Sequence, residues 1–320
     1  MPPSLNTQTI IAFIWDFDLT LTPGYMQGPL FEDYGVDPKE FWAEVNGLVD
    51  YYSQRGLKVS KDTAYLGHIL SYVKDGHFSG LTNAKLRELG SRVKLAPGMP
   101  VFMAETKAFV QQNEAFKHAG ISVEHYIVST GLRQMIEGNE IITHVKDVWA
   151  CELLSAPPSR GYLSEPSVGP QPVDDGVLTS IGYTLDNTTK TRAVFEINKG
   201  VNFERGIDVN ARMPQDDRRV PFTNMIYIAD GPSDVPVFSV VQANGGHTFG
   251  VHTGGVAGNY KGVRGLLDDG RVQSIGAADY RQGTETHLWL MSTLEKVAEE
   301  ICARRDASLR EIVAPAGHKV

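Results

Sequence analysis

Hydrophobic residues along this chain fall into short unbroken runs, separated by stretches in which they recur at helical spacing. The first run, Ile10–Trp15, is apolar at every position and stops at a carboxylate. Such a run is typical of a strand that is buried on both faces of a parallel sheet. Later runs of similar character occur at 125–129, 225–229 and 248–252. Helical spacing at 103–119 and 235–242 alternates with these runs. The pattern therefore predicts an α/β fold with a doubly wound, Rossmann-like parallel sheet.

Residues 23–96 differ from the rest of the chain because they contain almost no strand-like run. Apolar residues recur there at helical spacing over 38–52, 61–73 and 82–93. We therefore predict a helical cap domain at 23–96. It is inserted into a core domain that is formed by 1–22 and 97–320.

The remaining chain contains a proline-rich segment and a long amphipathic stretch. Residues 155–175 contain five prolines, so we predict a loop between extended segments at 145–154 and 177–185. A C-terminal helix is predicted over 284–304. Its apolar face is predicted to contain Leu288, Met291, Leu294, Val297 and Ile301.

Composition narrows the choice of partners. The chain has 30 Lys and Arg residues against 38 Asp and Glu residues, a net charge of −8. This balance argues against binding to nucleic acid or to an anionic membrane. The two cysteines, Cys151 and Cys302, are too few for a disulfide scaffold, so we expect reduced thiols and a cytoplasmic protein. No secretory signal pattern and no apolar run of about 18 residues is present, so we expect no membrane span.

Two carboxylates follow the first predicted strand. Asp16 and Asp18 belong to an Asp-x-Asp-x-Thr motif that Thr20 completes. Because ligands in open α/β sheets bind outside the carboxyl ends of the strands, both side chains are predicted to face a crevice. Taken alone, carboxylates in this position also occur as helix caps or as solvated turn residues.

Two later predicted strands also end in polar residues. Ser129-Thr130-Gly131 ends one run and opens a helix, where free backbone N–H groups favour an anion; the alternative is an ordinary Ser/Thr cap. Asp230 and Asp234 end another run, and the alternative to a site there is a capping turn.

One candidate cation precedes a predicted helix. Lys190 begins a helical stretch at 191–198. An isolated lysine is more often simply solvated, and Arg192 is a competing cation.

The order of these motifs, Asp-x-Asp-x-Thr, then Ser/Thr, then Lys, then an acidic turn, resembles the haloacid dehalogenase superfamily, and especially its phosphoserine-phosphatase-like branch. The core segments that carry the resemblance lie at about 10–22, 97–135, 185–200 and 225–252. The cap is similar only in position and helical character. One departure is Ala229, where many members have a glycine before the acidic turn.

The resemblance implies a role for each matching residue. Asp16 would be the nucleophile that forms an aspartyl-phosphate, and Asp18 would be the general acid and then the general base. The phosphate would be bound by Thr20, Ser129, Thr130, Gly131 and Lys190.

The resemblance also implies a Mg²⁺ site. The metal ligands would be Asp16, the backbone carbonyl of Asp18 and Asp230, while Asp234 would hold a metal-bound water or orient Lys190. Clustered carboxylates with one lysine carry too much negative charge unless a cation joins them. A hard divalent cation prefers oxygen ligands. The cofactor prediction is therefore Mg²⁺.

These features together predict a Mg²⁺-dependent phosphatase, a phosphomonoester hydrolase that acts on a small phosphorylated metabolite. The alternatives are a phosphotransferase or mutase that uses the same aspartyl-phosphate, or a non-catalytic ligand-binding protein on this scaffold. In phosphoserine phosphatases a substrate-reading Glu follows the second Asp at a fixed spacing. That position holds Tyr25 here, so phosphoserine is predicted to be a poor substrate.

Overall fold

A sheet flanked by helices forms the centre of the computed structural model, which describes residues 8–164, 176–204, 206–255 and 257–313. The seven strands within these residues are β1 (Ile10–Trp15), β2 (Ser122–Leu132), β3 (Asp147–Leu154), β4 (Ser180–Tyr183), β5 (Met225–Ala229), β6 (His247–His252) and β7 (Ser274–Ala277). Their order is β4-β3-β2-β1-β5-β6-β7, and every neighbouring pair is parallel except β3 with β4. The predicted doubly wound α/β class is confirmed.

Strand β1 lies where the winding direction of the sheet reverses. The chain runs outward from β1 through β2 and β3, and later places β5 on the other side of β1. Ile14 of β1 is in register with Tyr126 of β2 and Tyr227 of β5. In doubly wound sheets the ligand crevice opens at the carboxyl ends of the two strands that flank such a reversal. The fold therefore points to the ends of β1 and β5.

Eleven α-helices occur within the described residues. They are α1 (Gly28–Tyr34), α2 (Pro38–Ser53), α3 (Ala64–Lys74), α4 (Asn83–Gly90), α5 (Val101–Gln112), α6 (Glu114–His118), α7 (Arg133–Glu137), α8 (Thr189–Lys199), α9 (Val235–Ala243), α10 (Ala257–Asp268) and α11 (Glu285–Val313). Helices α2, α3 and α4 correspond to the three stretches of helical spacing in the predicted cap.

The segment that carries α1–α4 leaves the sheet and returns to it at one place. The Ala96 N–H donates to the carbonyl of Leu21 at 2.8 Å. Helix α4 also packs closely on α7, because a Cβ at Gly90 would lie only 2.0 Å from the carbonyl oxygen of Met135, and a Cβ at Gly138 would collide with the backbone of α4. The division into a core and a cap domain stays a prediction.

The apolar face of α11 matches the prediction except at Leu288, whose side chain is 57% exposed. Leu294, Val297 and Ile301 are buried as predicted, and Met291 is half-buried against the core. Leu290, which the prediction omits, is also buried on this face. Leu288 lies two positions before Leu290, which is about half a turn around the helix, so it points away from the sheet.

The predicted helical stretch at 103–119 is divided in two. Asn113 has an extended backbone, and its side-chain oxygen accepts hydrogen bonds from the N–H groups of Ala115 and Phe116. Asparagine competes for backbone hydrogen bonds in this way, and it therefore ends α5 and caps α6.

Helices α1 and α10 and strand β7 lie where no element was predicted. Within 155–175, Tyr162–Ser164 forms a short 3₁₀ turn, and residues 165–175 lie outside the described residues. Among the described helices, none combines the length and the apolar character that a membrane crossing requires. The cytoplasmic location and the absence of a nucleic-acid partner stay predictions.

Candidate active site

Asp16 and Asp18 lie just beyond β1 in a turn with a strained backbone. The Asp16 N–H donates to the carbonyl of Ile228 in β5 at 2.9 Å, which ties this residue to the neighbouring strand. Asp18 Oδ1 accepts the N–H of Met26 at 2.8 Å. Leu19 has a φ of 58°, in the left-handed region that a bulky side chain rarely adopts. Strain of this kind persists only where the surroundings hold it, and it is common beside functional groups.

Ser129, Thr130 and Gly131 lie in the last part of β2, against the entrance of the predicted cap. They do not open a helix as predicted, because α7 begins only at Arg133 and its N-cap is Leu132. Ser129 Oγ accepts the N–H of Gly131 at 3.1 Å. The sulfur of Met26 accepts the N–H of Leu132 at 3.1 Å, and a Cβ on Gly131 would lie 2.1 Å from the Met26 methyl group. Gly131 therefore allows Met26 to join the end of β2 to Asp18.

A residue of α3 also reaches the end of β2. The Tyr65 hydroxyl donates to the carbonyl of Thr130 at 2.6 Å, and Cys151 Sγ donates to the same carbonyl at 3.4 Å. Thr20 is fully buried, and its hydroxyl oxygen has no hydrogen-bond partner within the part of the chain that the structure describes.

Lys190 is the cation of the site. It is the second residue of α8, its side chain is fully buried, and its Nζ lies 3.0 Å from Asp16 Oδ1 and 2.7 Å from Asp234 Oδ1. Arg192 is 62% exposed and pairs with Glu196 at 2.9 Å. Two positions apart on a helix, the two cations cannot face the same way. The surface-lysine interpretation is excluded.

Asp230 and Asp234 follow β5. Asp234 is fully buried, and its side chain forms no capping hydrogen bond to α9, so the capping-turn alternative fails for this residue. Its Oδ1 accepts the Tyr227 hydroxyl at 2.5 Å in addition to Lys190, and its Oδ2 accepts the Ser233 hydroxyl at 2.7 Å. Both oxygens of Asp234 are thus engaged.

The carboxylates of the site exceed the charge that one ammonium can balance. Burial raises the pKa of Asp16 to about 6 despite the nearby Lys190. Burial and the charge of Asp16 raise the pKa of Asp18 to about 8. Burial, together with the charges of Asp16 and Asp234, raises the pKa of Asp230 to about 8. Burial alone would lower the pKa of Lys190, but Asp16 and Asp234 raise it.

This donor set fits a divalent cation. One oxygen from each of Asp16, Asp230 and Asp234 lies within 4.8 Å of the others, an arrangement that could hold a metal ion among the described residues. A hard cation prefers carboxylate oxygens and would stabilise the charged forms that burial disfavours. The side chain of Asp18 is outside this group, and a contribution from its backbone carbonyl stays a prediction.

Tyr25 stands beside the acidic cluster. Its side chain is 61% exposed. Partial burial raises the pKa of Tyr25, and the charges of Asp230 and Asp18 raise it further. Its ring centroid lies 6.3 Å from that of Trp42 in α2. In the predicted cap, Phe31 and Phe41 are buried in the interior of the helical segment, whereas Tyr51 is exposed.

Sequence reasoning missed four residues that contact the site. They are Met26, Tyr65, Tyr227 and Ser233. Ser233 is adjacent to Asp234 in sequence, and Tyr227 lies in the same strand that leads to Asp230, so position was an available signal for these two. No motif marks Met26 or Tyr65, whose contacts depend on how α1 and α3 pack.

Comparisons with known proteins identify a sequence relative and similar solved structures. No family model matches the sequence. An uncharacterized protein of Borreliella burgdorferi is 37% identical over 289 residues, which cover 90% of this chain and 97% of the relative. A HAD family hydrolase of Salmonella enterica serovar Typhi is 14% identical with a TM-score of 0.48, over 83% of this chain and 72% of that chain. A phosphoserine phosphatase, solved as a phospho-aspartyl intermediate analogue, is 14% identical with a TM-score of 0.47, over 83% of this chain and 93% of that chain.

The sequence relative and the solved structures support different conclusions. The solved structures are distant in sequence, and no property of theirs is carried to this chain. The motif segments that resemble the haloacid dehalogenase superfamily do meet at the switch point of a doubly wound sheet, as that fold requires. The Borreliella burgdorferi relative, in contrast, matches nearly the whole of both chains. The chain therefore belongs to the same family as this Borreliella burgdorferi protein.

Proposed function

We propose that this chain is a Mg²⁺-dependent phosphatase that hydrolyses the phosphomonoester of a small metabolite through an aspartyl-phosphate on Asp16. The observation that carries the proposal is the position of Lys190, whose fully buried ammonium lies 3.0 Å from Asp16 at the switch point of the sheet. Burying an ammonium among carboxylates is costly and adds little stability by itself. A phosphoryl dianion that approaches Asp16 is a group that such a lysine can bind.

Asp16 is the proposed nucleophile. One of its carboxylate oxygens attacks phosphorus, a P–O bond forms to Asp16, and the ester P–O bond breaks. The hydrogen bond from its N–H to Ile228 and the contact with Lys190 hold this residue at the end of β1. Lys190 reduces the repulsion between the anionic nucleophile and the phosphate.

Asp18 is the proposed acid and base. Burial and the charge of Asp16 raise its pKa to about 8, which favours the protonated form that a general acid needs. It gives this proton to the departing ester oxygen, and the resulting carboxylate then takes a proton from the water that attacks the aspartyl-phosphate. Phosphate leaves, and Asp16 is restored. The hydrogen bond from the Met26 N–H holds the Asp18 side chain while both transfers take place.

The remaining polar groups are proposed to bind the phosphoryl oxygens. Ser129, Thr130 and Gly131 at the end of β2 would contact them together with Lys190. The hydroxyl of Thr20 is buried and has no hydrogen-bond partner within the described chain, which supports a place for it in the same set. Asp16 and Asp230 would hold Mg²⁺ together with the backbone carbonyl of Asp18. When bound, Mg²⁺ would neutralise part of the charge of the carboxylates and of the phosphate. The hydrogen bonds of Asp234 favour a role in orienting Lys190 over a direct metal contact.

The experiment is a panel of phosphorylated metabolites and one aryl phosphate, assayed with Mg²⁺ and with EDTA. We expect hydrolysis with Mg²⁺, little with EDTA, and a lower kcat/KM for phosphoserine than for the best compound. Alcohol acceptors in a second series would detect transfer instead of hydrolysis. Hydrolysis that EDTA leaves undiminished contradicts the mechanism, and binding without turnover across the panel supports the non-catalytic alternative.

A further inference from the structure

We propose that Tyr227 is a positioning residue whose hydroxyl fixes the carboxylate of Asp234, so that Asp234 in turn holds the ammonium of Lys190 on Asp16. The kinetic consequence of this arrangement rests on the proposed function. The geometric consequence does not, because it concerns only the place of a buried ammonium.

The hydrogen bonds of Asp234 carry the argument. Tyr227 is fully buried in the middle of β5, and its hydroxyl donates to Asp234 Oδ1 at 2.5 Å. Lys190 donates to the same oxygen at 2.7 Å, and Ser233 donates to the other oxygen at 2.7 Å. With two donors on one oxygen and one on the other, the carboxylate has a single orientation that satisfies all three.

That orientation determines where the Lys190 ammonium lies. A lysine side chain has many rotamers, and its ammonium is a flexible point charge unless its partners are fixed. Here Nζ lies between Asp234 at 2.7 Å and Asp16 at 3.0 Å. If Asp234 turns, the shorter of these two contacts moves with it, and the contact with Asp16 is weakened.

The Tyr227 hydroxyl can be removed with little other change. The ring packs edge-on against Phe238 at a centroid distance of 5.5 Å, and phenylalanine retains this contact. Tyr227→Phe therefore tests the hydroxyl rather than the packing of β5 on α9.

The chain offers a matched control on the other side of β1. Tyr126 is also fully buried, it occupies the same register row as Tyr227, and it donates to the carboxylate of Glu124 while it accepts from Arg219 at 2.8 Å. Glu124 precedes Tyr126 on β2, toward the amino end of the strand, whereas the contact of Tyr227 lies beyond the carboxyl end of β5. Tyr126→Phe thus removes an equivalent hydroxyl outside the site.

The first readout is kinetic. We expect Tyr227→Phe to lower kcat by about tenfold, as for the loss of one hydrogen bond to a charged group, with KM within about twofold of the wild-type value. Tyr126→Phe should leave kcat within about twofold, although both variants lose some thermal stability. Equal kcat for Tyr227→Phe and Tyr126→Phe at equal stability would overturn the proposal.

The second readout does not depend on turnover. A buried ammonium held by two carboxylates exchanges its protons slowly, so Lys190 should give an observable ¹⁵N-ammonium resonance in wild-type protein and in Tyr126→Phe. We expect Tyr227→Phe to shift or broaden this resonance. An unchanged resonance refutes the positioning role even if the wild-type chain proves to be no phosphatase. If Tyr227→Phe does not fold, Tyr227→Met also lacks the hydroxyl and keeps an apolar side chain, and the same two outcomes decide the question.

Discussion

Two buried clusters of tyrosine, carboxylate and cation stand on either side of β1, and they differ in how their charges balance. On the β2 side, Arg219 donates to both oxygens of Glu124 at 2.7 Å, and Tyr126 donates to the same carboxylate. Burial alone would raise the pKa of Glu124, but Arg219 and Tyr126 lower it. One cation meets one anion, and the pair is complete within the protein.

In the cluster on the β5 side, the charges do not balance within the protein. Lys190 faces both Asp16 and Asp234, and Asp230 lies in the same group of carboxylates. The pKa values of Asp16 and Asp230 are raised, because burial and mutual repulsion outweigh the single ammonium. Burial of charge therefore does not by itself mark a functional site. An excess of one sign, which only a ligand or cation can balance, is the more specific signal.

The largest predicted effects differ in kind between the two clusters: one substitution removes turnover, and the other lowers stability. Asp16→Asn should lower kcat by at least about a thousandfold, because the amide cannot act as the nucleophile. Its stability in metal-free buffer at pH 7 should not be lower than that of the wild type, because a carboxylate whose pKa is raised on folding costs stability when ionised. Glu124→Gln should leave kcat within about twofold and lower the free energy of unfolding by roughly 2–3 kcal/mol, because Arg219 loses a charged partner.

Steady-state kinetics and urea unfolding of both variants test this difference. If Glu124→Gln were the variant that lost turnover, or if Asp16→Asn kept it, the distinction between the two clusters would be wrong.

A smaller effect is expected when Asp18 is changed and the leaving group is varied. Asp18→Asn should slow formation of the aspartyl-phosphate by roughly a hundredfold for an alkyl phosphate, whose departing oxygen needs a proton. An aryl phosphate leaves as a weakly basic phenolate, so this step should be slowed far less. Rapid-mixing kinetics with the two substrates measure the difference. Equal losses for both leaving groups would remove Asp18 from the acid role.

Stabilisation by Mg²⁺ should distinguish the two clusters by a measurement that does not depend on activity. Saturating Mg²⁺ should raise Tm by at least about 3 °C in the wild-type chain, because it binds the folded carboxylate group and not the unfolded chain. The increase should vanish in Asp230→Asn and persist in Glu124→Gln, as thermal unfolding with and without Mg²⁺ can show. An equal increase in Asp230→Asn would place the metal elsewhere.

The smallest effect concerns His125, a buried group that is held neutral. Trp15 Nε1–H donates to its Nδ1 at 3.1 Å, and its Nε2 contacts the Thr106 hydroxyl at 2.9 Å. Burial, with a contribution from the charge of Lys107, lowers the pKa of His125 to about 3. Below about pH 6.5 the unfolded chain therefore binds a proton that the folded chain does not, and stability is lost as the pH falls.

We expect the wild-type chain to lose about 1 kcal/mol more unfolding free energy between pH 7 and pH 5.5 than His125→Gln does, because the variant lacks this titration. Urea unfolding of both proteins at the two pH values gives the comparison. Parallel pH dependence in the two proteins would show that His125 can be protonated in the folded state.

The sequence predicted the parts of the fold that local pattern determines. Strand β5 (Met225–Ala229) is an apolar run that is buried throughout, and its bounds match the prediction. Strand β7 (Ser274–Ala277) has four residues and is mostly half-buried, so no run distinguishes it from a loop. Helix α10 contains several glycines and buries few side chains, which hides its helical spacing.

The sequence was enough to predict which motif residues belong to the candidate site, but not which side chains contact each other there. Strand-end motifs brought Asp16 and Asp230 to one edge of the sheet, since the ends of parallel strands share that edge. Whether Lys190 is buried depends on how α8 packs. The sequence alone does not reveal whether Lys190 or Arg192 faces the site. The contact between Tyr227 and Asp234 depends on side-chain direction at the end of β5, and no sequence period encodes it.

Trapping the phosphorylated enzyme tests directly whether Asp16 is the nucleophile. Asp18→Asn should retain the nucleophile and lose the base, so an aryl phosphate with Mg²⁺ should give a burst of phenolate followed by a slow phase. Acid quenching and peptide mass spectrometry should then find one added phosphoryl group on Asp16. A burst with the added mass on Asp16, absent in Asp16→Asn, is the predicted result. Turnover without any phosphoenzyme, or with the phosphoryl group on another residue, would contradict the account.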